Sequence, residues 1–234
     1  MSLKSYSVLR FGSYCCLLAG IAYILIVYCA FLSPDSIASY VTSPTYFEEF
    51  QYYEPIFVFL KWTMLAANLA MIGVVCAFHA LRRDENEGLM SWLSTIAIIG
   101  FGIGMYQSVQ DLSMVPYLAE QYSKGDALIR EVIIALGVAN PMVYVISLGL
   151  PGVWFIGVSW RALDNPNIPK HLILLGFLWG CGNITTVFAH AFVIIPLIKL
   201  VAYGALLFAP LWSISQALFL HKTAIKLAKK KKKK

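Results

Sequence analysis

Ionisable and amide side chains recur at helical spacing inside stretches that are otherwise apolar. Glu54, Lys61 and Asn68 stand seven residues apart, close to two turns, and so share one stripe of a helix. Gly100, Gly104, Gln107 and Asp111 follow steps of four, three and four, and Gly176, Gly180, Asn183 and His190 form a third line. Asn140, Tyr144, Ser147, Pro151 and Trp154 form a fourth. Lys199, Tyr203, Pro210 and Ser213 share a face, and Ser13, Cys16, Gly20 and Tyr23 make a weaker line. Two chemistries fit such a set. The groups could line an outward-facing polar pocket for a small solute, with Asp111 and His190 titrating and Gln107, Lys61, Asn183, Asn68, Glu54 and Lys199 as contacts. They could instead close on one another as interhelical ion pairs, Asp111 with Lys61 or with Lys199.

Depth bears on both. At 1.5 Å per residue, Asp111 lies ~33 Å from Leu89, His190 ~29 Å from His171, Lys61 ~27 Å from His79 and Lys199 ~33 Å from His221. Each therefore falls near the outer edge of a hydrocarbon layer ~30 Å thick, where desolvation is cheaper than at the centre and lysines can snorkel. Asn68 and Asn183 lie deeper on the same stripes. The glycine pairs Gly100–Gly104 and Gly176–Gly180 have the small-x-x-x-small spacing that lets helix backbones approach.

Other chemistries lack their signatures. His79, His171 and His221 fall at the inner interface without H-x-x-H or H-x-x-x-H spacing, so no metal site or other cofactor is expected. There is no G-x-S-x-G, H-E-x-x-H or P-loop, and the glycines at 100, 102 and 104 lack the preceding strand of a dinucleotide loop. Cys15, Cys16, Cys29, Cys76 and Cys181 read as small packing residues, with no disulfide framework.

The elements that would position these residues follow from composition. The chain has 234 residues, 59% hydrophobic and 13% charged, with a mean hydropathy of +0.72; a soluble domain of this size cannot hide so much apolar surface. Six apolar runs, roughly 8–32, 55–81, 89–115, 141–160, 171–195 and 197–221, are each long enough to cross a bilayer. The expected fold is an all-α, polytopic bundle of six transmembrane helices forming a single domain over residues 1–234, with a basic tail at 222–234. The first run is too long for a signal peptide and lacks an A-x-A cleavage site, so it reads as a retained span.

Fourteen of the eighteen Lys and Arg residues fall in the segments 1–11, 82–88, 161–170 and 222–234, whereas 33–54 has none and carries Asp35, Glu48, Glu49 and Glu54. By the positive-inside rule both termini are cytoplasmic. The net charge of +6 is thus topological and no sign of nucleic-acid binding. The run Lys229 through Lys234 is a topology anchor or solvated tail that could also touch anionic lipid headgroups.

Two outer segments read as short interfacial helices, either of which could act as a lid. SPTYFEEFQYYEP has capping-box spacing between Thr45 and Glu48 and is rich in aromatic residues. SKGDALIREVIIALGVANP places Leu128, Ile129, Val132, Ile133 and Leu136 on one face, with a stop near Gly137 and a break at Asn140–Pro141.

The opening LRFGSYCCLLAGIAYIL, with Arg10 before the first span and Ala19–Gly20 followed by Tyr23, resembles an uncharacterised six-span bacterial membrane-protein family known only as a domain of unknown function. That resemblance implies a bacterial inner-membrane protein and supplies no activity. In topology alone the chain is also similar to the substrate-binding subunits of energy-coupling vitamin transporters, which place a ligand near the outer face. The readings left open are a solute-binding or transport protein, a structural or assembly subunit of a larger membrane complex, and, behind them, an intramembrane enzyme using Asp111 and His190 as acid and base.

Overall fold

The computed structural model describes residues 3–34, 43–82, 87–137, 141–192 and 194–232. Among these it has seven helices and no strand: α1 (Leu3–Leu32), α2 (Pro44–Arg82), α3 (Glu87–Lys124), α4 (Ala127–Leu136), α5 (Pro141–Ala162), α6 (Lys170–Ala191) and α7 (Ile195–Lys232). Five of them, α1, α2, α3, α5 and α6, contain stretches long and apolar enough to cross a membrane. Large apolar side chains cover the outside of the bundle, among them Phe31, Leu69, Trp92, Tyr106, Phe188 and Leu200. A lipid solvent accepts such a surface and water does not.

The main packing runs in a closed ring. α1 lies against α2 and α7, α2 against α3, α3 against α5, α5 against α6, and α6 against α7. Glycines set several of these approaches. A Cβ added at Gly100 would meet Pro151 Cδ at 2.4 Å, and Gly152 and Gly180 face one another's backbone carbonyls across the α5–α6 seam. Ser13 ties α1 to α7 by donating to the Ala217 carbonyl at 3.0 Å. Inside the ring, Phe78, Trp154, Phe155, Trp179 and Trp212 pack as one aromatic cluster, with Phe155 and Trp179 4.0 Å apart and Tyr23 edge-on to Trp179 at 5.3 Å. Trp154 is ~12 Å from the Ala162 end of α5, so this cluster fills the half of the bundle at that end, the inner one in the expected topology.

The structure alters three boundaries. The stretch SPTYFEEFQYYEP is not a separate interfacial helix: α2 runs unbroken for 39 residues with Pro55 inside it. Its cap is Ser43, whose Oγ accepts from the Tyr46 N–H at 3.2 Å, with Pro44 at the first helical position, where no N–H is needed. The cap therefore lies two residues before the expected Thr45, with Tyr46 at the third helical position in place of Glu48. Second, α6 ends at Ala191 and α7 begins at Ile195, so the boundary falls before Pro196 and not at 195–197. Third, α7 continues through the basic segment to Lys232.

At ~58 Å, α2 is nearly twice as long as the hydrocarbon is thick, as is α3. The Pro44 end of α2 and the Lys124 end of α3, outer in the expected topology, join α4 in a second, smaller core of Tyr46, Phe47, Phe50, Phe57, Val115, Ala119, Tyr122 and Ile133. α4 agrees with expectation: Asp126 caps it by accepting from the Ile129 N–H at 2.9 Å. Gly137 ends it at φ 73°, a backbone conformation that glycine adopts without strain. Of its apolar face only Ile133 is buried; Leu128, Ile129, Val132 and Leu136 stay exposed.

Candidate functional site

The two longest helices bring three of the expected site residues together. Lys61 on α2 and Asp111 on α3 form an ion pair, Nζ to Oδ2 at 2.5 Å, with both side chains almost wholly buried. Gln107, one turn before Asp111, donates its Nε2 to Asp111 Oδ1 at 2.7 Å. Each carboxylate oxygen thus has a donor, as a buried charge requires. Phe57, one turn outward of Lys61 on α2, places its ring 5.2 Å from Nζ and covers the pair from outside. The stripes predicted from spacing account for this meeting, because Lys61 and Asp111 lie on the mutually facing sides of neighbouring helices.

Gln107 Oε1 is buried and has no hydrogen-bond partner among the described residues. Turning the amide over does not relieve this. An ionised Asp111, held by Lys61, can only accept, so the amide nitrogen must face it and the carbonyl must face away. The result is an acceptor in a buried site that calls for a donor.

Asn68 lies one stripe position deeper, against Gly104 of α3: a Cβ there would be 2.9 Å from its amide nitrogen. The remaining candidates are not gathered in. Glu54 is exposed. His190 Nδ1–H donates to the Thr186 carbonyl of its own helix at 2.9 Å. Asn183 is buried against Gly152 of α5. The Lys199 side chain, the sequence's other candidate partner for Asp111, lies outside the described residues, as do Asn140 and the side chain of Tyr144.

Two cavities lie elsewhere. One, of about 440 Å³, is an apolar groove between α6 and α7 lined by Leu178, Trp179, Val201 and Phe208 among others. The second, of about 260 Å³, opens on the outer hairpin between Phe47, Glu48, Gln51, Tyr122, Ser123 and Arg130. Sequence reasoning missed this second group. Glu48 and Arg130 were legible only as solvated charges, because nothing in their spacing reports that α4 folds back onto α2 and α3.

A family model described as a domain of unknown function (DUF4386) matches residues 18–221. The chain belongs to this family. The match covers most of the helical ring, including Lys61, Gln107, Asp111 and the outer hairpin. No curated protein and no solved structure matches the chain. Family membership agrees with the resemblance read from the first span and assigns no activity.

Proposed function

We propose that this is a six-span membrane protein with both termini cytoplasmic, in the inner membrane of a bacterium, that binds or moves a small solute. The polar site is the Lys61–Gln107–Asp111 group in the outer half of the bundle, with Asn68 as the next contact inward. The observation that carries this reading is the buried, unpartnered Gln107 carbonyl beside a buried ion pair. An acceptor left bare in such a place is costly, about 1–3 kcal/mol, and a donor-bearing solute would recover that cost. The aromatic cluster below closes the inner half, which supports access from outside, past Phe57.

A second reading, that the group is a structural pin in an assembly subunit, has its own observation. The pair is compact, covered by Phe57, and neither cavity is lined by its members. Native mass spectrometry of the mildly solubilised protein separates the two. Solute binding predicts a small molecule on the wild type that is absent from Gln107→Leu and Asp111→Asn. A wild type that carries no small molecule, together with a Gln107→Leu variant that is destabilised by losing the donor to Asp111 Oδ1, would leave only the pin.

A further inference from the structure

The outer hairpin carries a second site, independent of the one above. Its cavity draws on three helices: Phe47, Glu48 and Gln51 from α2, Tyr122 and Ser123 from α3, and Arg130 from α4. The floor is aromatic and rigid. Phe47 and Tyr122 are buried and stacked, with centroids 4.7 Å apart and an 18° interplanar angle.

Arg130 is fixed over this floor from two directions. Its guanidinium carbon lies 5.4 Å from the Tyr122 ring centroid, and its Nε donates to the Tyr122 carbonyl at 3.1 Å. That carbonyl is in the last turn of α3, where helix geometry leaves it without an intrahelical donor. Anchoring through Nε leaves the two terminal nitrogens outside that bond, on a residue that lines the cavity. They present the paired donors that suit a carboxylate or phosphate. Across the floor, Glu48 and Gln51 are one turn apart on α2 and offer a carboxylate and an amide carbonyl. Glu48 and Arg130 line the same space without closing into an ion pair. A cavity with one anchored cation, one carboxylate and a π-face between them is complementary to a molecule carrying both charges.

We propose that this cavity binds a small free zwitterion of the α-amino-acid class. Its carboxylate pairs with Arg130, and its ammonium lies over the aromatic floor toward Glu48 and Gln51. The volume, about 260 Å³, equals that of roughly nine water molecules, enough for such a molecule. Position argues for a solute over a phospholipid headgroup of similar charge. Gln51 and Phe47 lie ~15 and ~21 Å beyond Lys61 along α2, whereas a headgroup layer adds only ~5–8 Å to each side of the hydrocarbon.

The test is calorimetric titration of the full-length protein in nanodiscs with L-alanine, with propionate and ethylamine as single-charge probes. L-alanine is expected to bind saturably and at least ten-fold tighter than either probe. Arg130→Gln and Glu48→Gln should each weaken it ten-fold or more, with Arg130→Lys in between. Both positions are exposed, so unchanged melting of these variants checks that the hairpin stays folded. The double variant Lys61→Met/Asp111→Leu should leave L-alanine binding intact, which separates this site from the one proposed above. Propionate binding as tightly as L-alanine, or titration unaffected by Arg130→Gln, would overturn the proposal. So would retention of phosphatidylethanolamine by the wild type and its loss from Arg130→Gln, which would make a lipid headgroup the occupant.

Discussion

At the scale of single residues, Lys61 and Asp111 illustrate how a membrane bundle tolerates charge. Neither could be buried alone, because an unpaired ion in a low-dielectric interior loses its hydration without return. Together, with Gln107 on the second carboxylate oxygen, they satisfy one another. Removing one partner should therefore be far worse than removing both. Asp111→Ala or Lys61→Ala is expected to cost about 3–5 kcal/mol, whereas Lys61→Met/Asp111→Leu, which leaves only the neutral Gln107 amide nitrogen without its acceptor, should cost about 1–3 kcal/mol at most. Reversible unfolding in mixed detergent measures all three, and a double variant as damaged as the singles would contradict a self-contained pair. Asp111 was legible in the sequence as an ion whose depth and face could be counted. Its partner was not, because Lys61 and Lys199 stand at one level and only the packing of α2 on α3 selects Lys61.

At the scale of elements, the ring closes through small residues. Gly100 and Gly102 lie in the same helix, two residues apart, and make a controlled comparison. A methyl at Gly100 would press on the rigid Pro151 ring of α5 at 2.4 Å, whereas at Gly102 it meets nothing within 4 Å. Gly100→Ala should cost about 1–3 kcal/mol through overpacking. Gly102→Ala should gain up to about 1 kcal/mol from helix propensity. Equal effects in thermal melts would show that the α3–α5 approach is looser than the structure has it. Spacing alone marked Gly100, Gly104, Gly176 and Gly180 as contact residues, and all four pack against a neighbouring helix or its side chains. The outer stretch before Glu54 was harder to read. Pro55 and a cluster of rings suggest a break and an interfacial helix. However, proline at that point is tolerated, and the rings Tyr46, Phe47, Phe50 and Phe57 are held by α3 and α4 instead of by lipid.

At the scale of the whole molecule, the proposed topology places the outer hairpin and the basic end of α7 on opposite sides of the membrane. In a background with its five cysteines replaced, Ser123→Cys should react with an impermeant maleimide added to intact cells, and Lys222→Cys should react only after the membrane is opened. The reverse pattern would invert the topology. By itself the sequence determined an all-helical membrane protein and the faces on which Lys61, Gln107, Asp111 and Asn183 are buried. These are consequences of local hydropathy, of the 3.6-residue period and of the rise per residue. Only the tertiary structure decided that the helices close as a ring, that Lys61 is the partner of Asp111 and that Gln107 is left with a bare carbonyl. It alone brought Glu48 and Arg130, 82 residues apart in the chain, to one cavity. Such pairings depend on which helices become neighbours and on how far α2 and α3 extend past Lys61 and Asp111 to meet α4. That is a through-space outcome, and no local pattern along the chain encodes it.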